Sequence, residues 1–141
     1  MPQESLLDAS ALLALILREP GWKVIDAIAE SGLALTTPIA LAETLEICRQ
    51  KQTGISRDEI RTLLSLKNIN VVPVVEEDAV EAAYIYKKAA EHNVKSKRQI
   101  HVSLADVMLL AAGKRLETLV VFSDNEWELI DLPGVRVLPF R

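Results

Sequence analysis

The sequence predicts an α/β domain with a mainly parallel central sheet flanked by helices. Short apolar runs of strand length alternate with longer segments of helical period. Cap and turn residues fall between these runs, and no linker, low-complexity tract or tandem repeat interrupts them. Strands separated in this way by helices pair in parallel through right-handed crossovers.

Taken in order, SLLD at 5–8 reads as a strand, and Ser10 as the cap of a helix reaching Arg18, with Pro20 and Gly21 as the break. Val24, Ile25 and Ile28 sit at helical spacing within 22–29, and Gly32 ends that stretch. A strand over 33–35 leads to a cap at Thr37 and to Pro38 at the first helical position, where its missing N–H does no harm. That helix runs to about Lys51. Gly54 then breaks the chain, and SRDE at 56–59 has the capping-box form that opens a helix to Leu66. NINVVPVV at 68–75 reads as a strand, which Pro73 confines to a sheet edge. Residues 77–91 read as a helix. SLAD at 103–106 is a second capping box, opening an apolar helix to Arg115. TLVVF is a strand, 125–130 a short helical piece, and VRVLPF the last strand.

A length of 141 residues with 50% hydrophobic content predicts one domain, spanning 1–141, with a sizeable core. MPQES lacks the basic start of a secretory signal, and no apolar run approaches the ~18 residues that span a bilayer, so a non-membrane, cytoplasmic protein is expected. The single cysteine, Cys48, has no second thiol for a disulfide or a shared zinc and reads as a small core residue. A net charge of −4 gives no overall attraction to polyanions, so any such site must be local. The aromatics Trp22, Tyr84, Tyr86, Phe122, Trp127 and Phe140 are scattered and do not form a base-stacking platform. Leu13, Ile16 and Leu17 add more apolar surface to the first helix than one core readily buries.

Asp8 poses the sharpest question, because ten of the twelve residues from Leu6 to Leu17 are apolar and an unpaired buried carboxylate is costly. In a parallel sheet, strand ends and the following helix starts share one edge, where such folds bind ligands. Asp8 and Asp124 end strands, Asp106 lies in the first turn of its helix, and Glu43 lies about two turns into another. Four acids distant in sequence are thus expected on one edge. His92 and His101 are isolated, so the donors are hard oxygens, a set that selects Mg2+ or Mn2+ over zinc. Phosphodiester hydrolysis is the natural reaction class for that set. Each acid also has a purely structural reading: Asp106 as a member of its capping box, Asp8 and Asp124 as strand-end caps. Their convergence distinguishes the two readings, since independent caps have no reason to meet.

The segments LLDASAL, LAETLEI, SLADVMLLAA and LVVFSDNEW, in this order and spacing, resemble a PIN domain, most of all the VapC-type toxins of toxin–antitoxin pairs. The resemblance implies a PIN-like three-layer domain and a metal-dependent ribonuclease, with Asp8, Glu43, Asp106 and Asp124 as catalytic, metal-holding acids. It further implies Ser10 and Glu126 as secondary or water-positioning groups, a small antitoxin as partner, and a homodimer. The family commonly has Thr or Ser two residues before the last Asp, where this chain has Phe122. Ser123 is adjacent, but a strand neighbour points to the opposite face. For the RNA backbone, the basic stretch containing Lys95, Lys97 and Arg98 leads into the Asp106 helix.

Two other readings stand beside this one. A haloacid-dehalogenase-like phosphatase needs a second Asp at the position of Ser10. A non-catalytic PIN-like module binding RNA or a protein is suggested by Phe122. No Walker loop or dinucleotide fingerprint occurs.

Overall fold

The computed structural model describes residues 3–141. Its element order is β1 (Ser5–Leu7), α1 (Ala9–Leu17), α2 (Trp22–Glu30), β2 (Ala34–Thr36), α3 (Pro38–Gln50), α4 (Arg57–Leu66), β3 (Asn70–Val71), α5 (Glu76–Lys95), α6 (Leu104–Leu116), β4 (Leu119–Phe122), a single 3-10 turn (Trp127–Leu129) and β5 (Arg136–Pro139). The strands form one sheet in the order β3-β2-β1-β4-β5, and every neighbouring pair is parallel. The chain starts at the middle strand, steps outward through β2 to β3, and then crosses back through α5 and α6 to β4 on the other side. Right-handed crossovers of opposite direction put their helices on opposite faces, which gives the three-layer α/β fold. The order reverses beside β1, and Asp8 follows β1 directly.

The core explains the placement of the central strand. Leu6 and Leu7 of β1 and Val120, Val121 and Phe122 of β4 have no exposed surface, and Leu12, Ile25, Val107 and Leu110 close over them from the helices. Such doubly covered strands read as continuous apolar runs. α6 lies close on β4 because Gly113 has no Cβ; one added there would run into the Val120 side chain. Leu13 is buried in a smaller cluster with Cys48 and Ile60, with Ile16 and Leu17 partly buried at its rim. α3 and α4 thus take up the apolar surplus of α1, and Cys48 is a core residue as expected.

Three expectations need correction. Asp8, not Ser10, is the N-cap of α1: its carboxylate accepts from the Ala11 N–H at 2.9 Å, and the helix begins at Ala9. The strand expected over 68–75 shrinks to Asn70–Val71, although it does lie at the sheet edge. It pairs only with Leu35 and Thr36 of β2, and Pro73 has no N–H to continue the ladder. α5 then begins at Glu76 and runs to Lys95, absorbing the start of the basic stretch. Both capping boxes, at Ser56 and at Ser103, are present. Among the described residues, no helix is long and apolar enough to cross a membrane.

Candidate functional site

Three of the predicted acids share one electrostatic neighbourhood. Asp8 follows β1 and is largely buried; Thr37 caps α3 and sets the rotation that carries Glu43; Ser103 caps α6 and holds Asp106. α3 packs against both α1 and α6, which brings the three elements together at the carboxyl edge of the sheet. Burial pushes the Asp8 carboxyl up to about 7; hydrogen bonds from Ser10 and Ala11 oppose the rise, and the charges of Asp106 and Glu43 add to it. Glu43, although exposed over much of its surface, is raised by partial burial of its carboxyl and by the Asp106 charge. Asp106 is raised by burial, against hydrogen bonds from Ser103.

Asp8, which is buried, and Asp106, which is half-buried, are each anchored through one oxygen. Ser10 Oγ donates to Asp8 Oδ1 at 2.5 Å, and the Ala11 N–H donates to the same atom. The Ser103 N–H donates to Asp106 Oδ2 at 2.9 Å, while the Asp106 N–H donates to Ser103 Oγ at 3.1 Å. Ser10 also accepts from the Ser123 N–H at 2.9 Å, so one hydroxyl ties the turn after β1 to the end of β4.

Asp124 is not drawn into this group. Its backbone is left-handed, with φ of 61°, and its carboxylate accepts from Arg141 Nη2 at 2.9 Å and from Ser123 Oγ at 3.0 Å. Those contacts, the Arg141 bond first, hold it below the ordinary Asp value. Glu126 is likewise taken, by an ion pair with Arg98, while Lys95 and Lys97 are exposed nearby in the chain. Asp124, Glu126 and Arg141 line a cleft of about 520 Å³ together with His101 and Asn125. Among the described residues, no three His, Cys, Asp or Glu side chains converge tightly enough to hold one ion as they stand. As a donor set, Asp8, Glu43 and Asp106 fit a hard divalent cation: all are oxygens, all three are raised, and a cation would relieve all three.

Phe122 is fully buried and stacks on Trp127 with ring centroids 4.5 Å apart, so this position belongs to the core. Ser123 Oγ donates to Asp124 Oδ2 at 3.0 Å just past the end of β4 at Phe122. Arg141 was invisible to sequence spacing. Only the pairing of Phe122 with Pro139 reveals it, since it brings together the segments that leave β4 and β5, and with them Asp124 and Arg141.

The family model for the PIN domain matches residues 5–132. No curated protein matches the chain significantly by sequence. Several solved structures share its fold. VapBC2 from Rickettsia felis, solved bound to a DNA fragment from its promoter, aligns with a TM-score of 0.72 at 11% identity, over 95% of this chain and 96% of that one. A toxin–antitoxin complex from Klebsiella pneumoniae aligns with a TM-score of 0.64 at 16% identity, over 98% of each chain. FitAcB from Neisseria gonorrhoeae aligns with a TM-score of 0.61 at 18% identity, over 96% of this chain and 97% of that one.

Proposed function

The chain belongs to the PIN domain family, and we propose that it is a Mg2+- or Mn2+-dependent endoribonuclease, the toxin of a toxin–antitoxin pair. The observation that carries the reading is the convergence of Asp8, Glu43 and Asp106, three carboxylates from three elements at the carboxyl edge of the sheet: burial raises all three, the Asp106 charge raises Asp8 and Glu43 further, and the Glu43 charge adds to Asp8. A fold seldom retains mutually repelling acids without a cation to offset them.

In this reading Asp8, Glu43 and Asp106 hold the cation, with Asp124 as the fourth acid. An ion bound there supplies positive charge against the phosphoryl group and makes water a stronger nucleophile. Ser10 and Ala11 orient Asp8 through Oδ1, and Ser103 orients Asp106 through Oδ2, so the opposite oxygen of each is the one offered. Ser10 is thereby a positioning group, and Glu126 acts through its pair with Arg98. Lys95, Lys97 and Arg98 supply a local cationic surface for the RNA backbone on an otherwise acidic chain. A small antitoxin and a second copy of the chain are the proposed protein partners, in keeping with the toxin–antitoxin complex that shares the fold, and the cytoplasm is the proposed location.

The test is incubation of the purified protein with a panel of structured RNAs in Mg2+, Mn2+ or EDTA, beside Asp106→Asn. Cleavage that needs the metal and falls at least 100-fold in the variant is expected. A second reading, a PIN-like module that binds without cutting, is favoured by Phe122 alone. Metal-independent RNA binding with no cleavage by any preparation would favour that module over the nuclease.

A further inference from the structure

Asp124 is paired with a cation that the fold itself supplies. The Arg141 guanidinium donates to Asp124 Oδ2 at 2.9 Å through Nη2 and to the Pro20 carbonyl at 3.0 Å through Nη1, and it lies 5.4 Å from the Phe140 ring centroid. Its side chain is only 25% exposed, whereas that of Asp124 is 71% exposed. The arginine is therefore the fixed member of the pair and the aspartate the movable one. Phe140 is itself fastened, its N–H donating to the Phe122 carbonyl at 2.9 Å, so the guanidinium is carried by the sheet rather than by a loose tail. A planar fork held in this way is a more persistent partner than a lysine would be.

We propose that Arg141 is a positioning residue that acts as a resident counter-cation for Asp124, keeping it apart from Asp8, Glu43 and Asp106 until a divalent cation displaces the guanidinium. The inference rests on the metal site proposed above. It makes Asp124 a conditional ligand: three acids are always present at the edge, and the fourth joins in competition with an internal positive charge. The competition is weak by design of the exposed pair, because solvent and salt screen it.

Calorimetric titration of Mn2+ into the wild-type protein, Arg141→Ala, Arg141→Lys, Asp124→Asn and the double variant Asp124→Asn/Arg141→Ala tests this, with thermal melts verifying that each is folded. Arg141→Ala should bind Mn2+ about two- to fivefold tighter than wild type, a gain that narrows as salt is raised. Arg141→Lys should behave closer to wild type than to the alanine variant and also serves if the alanine variant folds poorly. On the Asp124→Asn background, loss of Arg141 should change nothing. Unchanged or weaker binding by both Arg141 variants, or an equal gain on the Asp124→Asn background, would overturn the inference while leaving the metal site intact. Failure of every variant and of the wild type to bind Mn2+ would overturn both.

Discussion

Asp8 caps α1 through the same oxygen that Ser10 holds, and its buried carboxyl keeps its proton to about 7 instead of 3.8. The unfolded chain releases that proton near pH 4, so between about 4 and 7 the native state binds more protons than the unfolded state. The Asp8 contribution to stability therefore falls as pH rises through this window. Asp8→Asn keeps a good capping side chain and removes the charge. It should raise the stability of the metal-free protein at pH 8 by about 2–4 kcal/mol and flatten the acid-to-neutral slope in thermal melts, while abolishing RNA cleavage. Phe122 is the opposite case, a residue whose environment is wholly core. Phe122→Thr should lower stability by about 3 kcal/mol through loss of the Trp127 stack, and it should not raise cleavage, because the new hydroxyl would face the core and not the acids.

At the scale of elements, the site depends on how α3 and α6 are aimed. The capping box at Ser103 serves twice, ending the orphan N–H groups of α6 and fixing Asp106. The body of α6 is pinned by two other features: the close approach at Gly113 and the pairing of Arg115 with Asp78, a carboxylate only 1% exposed in the first turn of α5. Thr36 Oγ1, donating to the Leu7 carbonyl at 2.9 Å, ties the end of β2 to the end of β1 just ahead of α3. Gly113→Ala should push α6 off β4, costing about 1–3 kcal/mol. Denaturant unfolding would register the loss in stability. Because Asp106 lies on the same helix, cleavage measured below the unfolding transition should fall as well.

For the molecule as a whole, the acids at the sheet edge set a balance between stability and ligand. Three raised carboxylates destabilise the metal-free fold near neutral pH, and a cation that binds only the folded state returns that stability. Adding Mg2+ or Mn2+ at ten times its Kd should raise the unfolding free energy by about 1.4 kcal/mol at pH 8. EDTA should reverse the shift. The gain should shrink at pH 5, where the raised carboxyls hold protons in the cation's place. A melt that is indifferent to metal at both pH values would count against the site.

The alternation of apolar runs and helical segments determined the α/β class, the parallel sheet and both capping boxes, because periodicity and cap chemistry are local properties of the chain. That Asp8, Glu43 and Asp106 would share one neighbourhood was also legible, since strand ends and the helices that follow them lie along one edge of a parallel sheet. Three things were settled only in three dimensions. The helix cap fell to Asp8 because the helix begins at Ala9, two residues earlier than a Ser10 cap requires. β3 was cut to two residues because its pairing reaches only Leu35 and Thr36 of β2, a limit of register that no propensity encodes. The fate of Asp124 was decided by β4–β5 pairing, which sets Arg141 beside it across 17 residues of sequence. Local chemistry names the groups that can act; strand register decides which charge each of them meets.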